Sequence, residues 1–177
     1  MTQEKVLEIL RKVGAIITDS HLVYTSGKHG SVYINKDAVY PHTAEISEIC
    51  QMMADQFKDS GVQVVAGPSL GGIILSQWVA HHLSIMTGSE VLGVYTEKTP
   101  EKNQIFTRGY DKHVQGKKVL VVEDITTTGG SVRKVVDSVK AAGGEVVGVC
   151  VMVNRNADIN ESIVGGPYHA LAFIQAD

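Results

Sequence analysis

Apolar residues recur at helical spacing near the start of the chain, where Val6, Leu7, Ile9, Leu10 and Val13 share one face and Gly14 follows them. The pattern predicts an amphipathic opening helix with a glycine stop. Between His21 and Tyr40 it changes to Tyr, Val and Ile broken by Ser26-Gly27 and Gly30, which predicts short extended segments and turns, a flap or lid. Pro41 then precedes a second helix, with Thr43 as expected cap, Glu45 in the first turn, and Ile46, Ile49, Cys50, Met53 and Phe57 along one face.

From there strand-like runs at Val62–Ala66, Val91–Tyr95, Val119–Val122 and Val146–Val153 alternate with helical patterns at Ile73–Met86 and Ser131–Ala142. Alternation of this kind marks a parallel α/β sheet. Residues 119–122 and 146–151 are almost continuously apolar, as strands covered on both faces must be, so they are expected at the centre. Val132, Val135, Val136 and Val139 face one way and Gly143-Gly144 ends their helix, completing a βαβ unit. The expected fold is α/β, a central parallel sheet flanked by helices, with a small N-terminal hood. One domain spans 1–177, with the hood mainly in 1–40 and the core in about 41–177. Thr96 to Lys118 is a long polar stretch, and a loop of more than ~15 residues in a compact domain is usually a lid, a binding loop or disordered. A lid, a binding loop or a disordered segment is therefore expected over about 96–117.

Composition narrows the partners. With 177 residues, 44% of them hydrophobic, the chain can fill one core but hardly two. A formal net charge of -3 leaves no cationic excess for a nucleic-acid backbone, so no nucleic acid is expected. No window approaches the ~20 apolar residues of a membrane span, and Met1–Arg11 lacks the pattern of a signal peptide, so a cytoplasmic protein without a membrane partner is expected. Cys50 and Cys150 each lie in an apolar pattern and read as small buried hydrophobes. The histidines show no metal-ligand spacing, and His81-His82 read as a helix surface or a subunit contact.

The chemistry concentrates in Val119-Leu-Val-Val-Glu123-Asp124-Ile125-Thr126-Thr127-Thr128-Gly129-Gly130-Ser131. A buried strand there runs into two acids, then a hydroxyl- and glycine-rich loop, then a helix. Glycines let the loop turn its N–H groups inward, hydroxyls add donors, and the helix N-terminus adds positive potential, which together cradle a phosphate. Two carboxylates would repel that phosphate. They make sense facing the hydroxyls of a sugar, or a magnesium ion bridging sugar and pyrophosphate. Phosphoribosyl pyrophosphate (PRPP) has a phosphate, a ribose and a metal-bound pyrophosphate in that order. A P-loop and a GxGxxG turn are both lacking, which disfavours an NTPase and a dehydrogenase. The bland reading, a tight connection capped by Ser131, explains neither the paired acids nor the three threonines.

This segment closely resembles the PRPP-binding signature of type I phosphoribosyltransferases, and three more stretches resemble orotate phosphoribosyltransferases. Tyr24-Thr-Ser-Gly-Lys-His-Gly-Ser-Val-Tyr-Ile-Asn35 is similar to that family's segment over the base site. Gly67-Pro-Ser-Leu-Gly-Gly-Ile73 is similar to its pyrophosphate loop, and Val149-Cys-Val-Met-Val-Asn-Arg155 to the strand end where an arginine meets the orotate carboxylate. The resemblance implies that Glu123 and Asp124 bind the ribose hydroxyls and that Ile125, Thr126, Thr127, Thr128, Gly129, Gly130 and Ser131 bind the rest of the phosphoribosyl group. It places Ser69, Leu70, Gly71 and Gly72 around pyrophosphate, Lys28 over base and sugar, Thr127 against orotate and Arg155 on its carboxylate. It implies Asp124, Lys98 and Lys102 as catalytic residues, Mg2+ arriving with PRPP with Glu123 and Asp124 as its possible protein contacts, and a homodimer whose flexible loops cross the interface. This chain departs from the family in that loop, where Glu97 stands at a commonly basic position and Lys98, Lys102 and Arg108 are scattered. It departs again at Tyr33-Ile34, where two aromatics are usual. The implied activity is phosphoribosyl transfer to orotate. Its rivals are transfer to another base and a PRPP-binding regulator.

Overall fold

The structure is a computed structural model that describes the backbone at residues 1–23 and 29–176, and side chains outside 18–31. Helix α1 (Thr2–Lys12) leads into strands β1 (Ile16–Val23) and β2 (His29–Ile34), an antiparallel pair followed by a 3-10 turn over Lys36–Ala38. Helix α2 (Thr43–Phe57) comes next, then β3 (Val64–Pro68), α3 (Gly71–Thr87), β4 (Leu92–Lys98), β5 (Gln104–Ile105) and the short α4 (Asp111–Val114). The chain finishes with β6 (Lys118–Thr126), α5 (Gly130–Ala141), β7 (Glu145–Asn154), the short α6 (Glu161–Val164) and β8 (Tyr168–Phe173).

The main sheet has the order β5-β4-β3-β6-β7-β8, parallel except for the β4–β5 pair. Alternation along β6 and β7 divides the core between its two faces. Leu120, Val122, Cys150 and Met152 join the residues of α1, α2 and α3 on one face, whereas Val119, Val121, Val149 and Val151 meet the valines of α5 on the other. Val132, Val135, Val136 and Val139 are wholly buried. Each contributes about 1.5–3 kcal/mol, enough to outweigh the weak helix propensity of valine.

Several expectations change in detail. Thr43 is the first residue of α2 rather than its cap, which is His42, with no side-chain cap hydrogen bond. Glu123 and Asp124 do not end their strand, because β6 continues to Thr126 and buries both. The stretch 96–117 holds β5 and α4 in place of one long loop. Buried Thr96 donates to Gln104 Oε1 at 2.8 Å, and Thr99 closes the hairpin by accepting from Asn103 N on Oγ1 at 3.0 Å. A satisfied polar pair inside the hairpin replaces the apolar alternation from which strands are read. Strand β8 and the two short helices were not foreseen, and Cys50 and Cys150 are both buried free thiols, as expected.

Candidate active site

The connection β3–α3–β4 carries its helix on one face of the sheet, and β6–α5–β7 carries its helix on the other. Winding therefore reverses between the neighbours β3 and β6, and the cleft beyond their carboxyl ends is where open α/β sheets bind ligands. Two loops flank it, residues 69–70 after β3 and residues 127–129 after β6.

The β3 loop is built on backbone contact. A Cβ on Gly67 would lie 2.5 Å from the Gly72 carbonyl oxygen, and one on Gly72 would lie 2.6 Å from the Gly67 carbonyl carbon, so the two glycines close the turn. Ser69 donates its backbone N–H to the Thr96 carbonyl at 3.0 Å, and Leu70 projects outward, 83% exposed. Opposite, residues 125–132 line a concavity of about 180 Å³. Thr127, Thr128, Gly130 and Ser131 are exposed there, and the Gly130 N–H donates to Thr128 Oγ1 at 3.2 Å. Gly129 caps α5 at φ 81, a left-handed conformation that favours glycine, and offers no side-chain cap. The α5 N-terminus therefore keeps N–H groups for an anion. Below the loop, Thr126 Oγ1 lies 3.2 Å from Asn154 Oδ1 and 2.8 Å from the Tyr168 hydroxyl.

Asp124 is 1% exposed and accepts hydrogen bonds on both carboxylate oxygens. Tyr40 donates its hydroxyl to Oδ2 at 2.6 Å, Lys36 Nζ lies 3.3 Å from Oδ2 and 3.4 Å from Oδ1, and the Ile125 N–H donates to Oδ1 at 2.7 Å. Glu123 accepts from the Asp124 N–H at 2.9 Å. Burial, reinforced by the charge of Asp124, pushes the Glu123 carboxyl well above its ordinary range. Burial and Asp124 also raise the Tyr40 phenol, which stays a donor at neutral pH. For Lys36, burial acts downward, but the charge and hydrogen bond of Asp124 outweigh it and hold the ammonium above its ordinary value.

Arg155, 9% exposed, follows β7 and is tied to its neighbours. Its N–H donates to the Thr126 carbonyl at 2.8 Å, and Nε donates to the Ile174 carbonyl at 2.8 Å. Nη2 donates to the Gln175 carbonyl at 3.5 Å, the longer of the two side-chain contacts and the one a carboxylate would more readily replace. Lys98 ends β4, and Lys102 sits at the hairpin tip with φ 62 and its N–H on the Thr99 carbonyl at 2.9 Å. Glu97 is paired with Arg108 at 3.0 Å, and Arg108 lies over the Tyr95 ring at 5.9 Å, so that arginine is engaged within the hairpin. Lys28 lies outside the described residues.

Most expected residues thus gather at one sheet edge. Lys36 and Tyr40 were missed, and no sequence signal could have placed them beside Asp124, because Tyr40 is 84 positions away. The fit for magnesium is limited. Among the described residues no group of three or more His, Cys, Asp and Glu could hold a metal, and Asp124 already has donors on both oxygens. One or two carboxylates suit an ion held mainly by substrate phosphates.

Comparison with known proteins defines the class first: the phosphoribosyl transferase domain matches residues 35–164. Over 156 residues the chain is 40% identical to the orotate phosphoribosyltransferase of Desulforamulus reducens, covering 88% of this chain and 77% of that protein. It is 37% identical to that of Pelotomaculum thermopropionicum, again over 88% and 77%. The orotate phosphoribosyltransferase structure from Mycobacterium tuberculosis H37Rv superimposes with a TM-score of 0.79 at 25% identity, covering 98% of this chain and 97% of that one. The chain belongs to the orotate phosphoribosyltransferase family.

Proposed function

We propose that this protein transfers the phosphoribosyl group of PRPP to orotate, giving orotidine monophosphate and pyrophosphate, a step of pyrimidine biosynthesis. The observation that carries the proposal is a buried Asp124 fixed by Tyr40 and Lys36 between the glycine turn after β3 and the hydroxyl-lined concavity before α5. In this reading residues 126–131 receive the 5-phosphate, Glu123 and Asp124 the ribose hydroxyls, and Ser69–Gly72 the pyrophosphate. Lys28 and Thr127 contact the base, and Arg155 takes the orotate carboxylate. A ring nitrogen of orotate displaces pyrophosphate at the anomeric carbon. The protein contributes by orienting both substrates, stabilising charge on the leaving group with loop amides and with Lys98 and Lys102, and excluding water that would hydrolyse PRPP. A Mg2+ ion bound with PRPP would supply further charge neutralisation, and Glu123 and Asp124 are the carboxylates that would contact it.

The reading includes a cytoplasmic homodimer, supported by the family resemblance and by the position of Lys98 and Lys102 in a hairpin outside their own phosphate cradle. Among the described residues no helix is long and apolar enough to cross a membrane. Sedimentation of the active protein tests the dimer, and a fully active monomer would refute it. Pyrophosphate release with PRPP, Mg2+ and a panel of orotate, uracil, adenine and xanthine tests the reaction. Orotate should be preferred by orders of magnitude; preference for another base, or no release with any, would overturn the proposal.

A further inference from the structure

The pyrophosphate loop has no charge of its own, since Ser69, Leu70, Gly71 and Gly72 carry none. Position 71 cannot acquire a side chain cheaply, because a Cβ there would collide with Asp124 Oδ2 and the Tyr40 hydroxyl. A departing pyrophosphate bears several negative charges, and one bound divalent ion cancels only part of them. Lys36 is a cation close to this loop. Its Nζ lies 3.3 Å from the same Asp124 oxygen that blocks position 71, and its side chain remains 45% exposed. It is fully ionised, since Asp124 outweighs the effect of burial.

Among the described residues Asp124 has four donor contacts. Those from Tyr40 at 2.6 Å and Ile125 N at 2.7 Å are short, and the two from Lys36, at 3.3 and 3.4 Å, are long. Arriving ribose hydroxyls are donors too, so one occupant must leave, and the long, half-exposed contact exchanges most readily. We propose that Lys36 is a substrate-binding residue that passes from Asp124 to the pyrophosphate of PRPP as the ribose hydroxyls take its place, while Tyr40 stays behind as the residue positioning Asp124. The assignment rests on the reading of the cleft as a PRPP site.

The test separates the two ends of the substrate. Magnesium pyrophosphate alone has no ribose to touch Asp124, so its dissociation constant, measured calorimetrically, reports a direct contact. Lys36→Met should weaken magnesium pyrophosphate binding and raise the KM for PRPP, each roughly 10- to 100-fold as expected for a lost charge-assisted contact. Lys36→Arg, which keeps the charge, should recover most of both. Tyr40→Phe should raise the KM for PRPP yet leave pyrophosphate affinity within about twofold, because it acts through the carboxylate. If Lys36→Met and Lys36→Arg both bind pyrophosphate like the wild type, Lys36 merely neutralises Asp124 and the inference is wrong. If instead the wild type binds neither PRPP nor pyrophosphate, the reading of the cleft itself fails.

Discussion

Gly71→Ala places one methyl group between the two halves of the cleft. The new Cβ would overlap Asp124 Oδ2 and the Tyr40 hydroxyl, with the Tyr40 ring carbon bearing that hydroxyl 3.2 Å away. Asp124 is held by a strand and an N–H, so the phenol is the group that can yield, and its 2.6 Å hydrogen bond to Asp124 is lost. A hydrogen bond to a charged group is worth about 1.5–3 kcal/mol. Since Gly71 is the first residue of α3, alanine returns up to about 1 kcal/mol of helix propensity. The net cost to stability should be about 0.5–3 kcal/mol, with the fold retained. PRPP efficiency should fall by the full hydrogen bond, roughly 10- to 150-fold. Steady-state kinetics with PRPP varied at saturating orotate, run beside thermal unfolding, measures both. The combination with Tyr40→Phe adds an internal check. With the hydroxyl already gone, the methyl should cost less than in the wild type, a non-additivity expected of groups in contact. Wild-type PRPP kinetics in Gly71→Ala, or strict additivity in the double variant, would refute the geometry.

Arg155→Met should cost roughly one to three powers of ten in orotate efficiency by leaving a carboxylate without its fork, with PRPP affinity little changed; a loss confined to PRPP would make Arg155 structural. Glu123→Gln should stabilise the protein at pH 8 and lose that advantage near pH 4. The folded carboxyl is raised above its unfolded value of 4.5, so its contribution is fully present below that value and is lost as pH rises toward the folded one. Melting temperatures across that range decide it, and an advantage that grows on acidification would reverse the sign. Gly148→Ala should destabilise by about 1–3 kcal/mol through overpacking, since the added Cβ meets the Phe57 ring, while the KM values stay at wild-type level. Denaturant unfolding and kinetics on the same preparation would show whether stability and catalysis separate there.

The central strands and the phosphate cradle were legible because local sequence dictates them. Uninterrupted runs such as Val119–Val122 have few alternatives to a buried strand, and a glycine at Gly129 with hydroxyls around it specifies a turn whatever surrounds it. The groups that complete the site depend on distant pairing. Lys36 and Tyr40 lie in the segment between β2 and α2, and only tertiary packing brings them to Asp124, 84 to 88 positions further on. The β4–β5 hairpin escaped for a related reason, because buried Thr96 donates to Gln104 where apolar residues would have announced a strand. Arg155 was found through resemblance, but the use of its Nε by the Ile174 carbonyl required the unforeseen β8, which delivers that segment.

The most direct measurement is a crystal structure with PRPP, Mg2+ and orotate bound. The account predicts the 5-phosphate on the loop of residues 126–131, the ribose hydroxyls within hydrogen-bond distance of Asp124, the pyrophosphate against Ser69–Gly72, and the orotate carboxylate on the Arg155 guanidinium. A 5-phosphate bound away from the loop that precedes α5, or a base seated with no contact to Arg155, would contradict it.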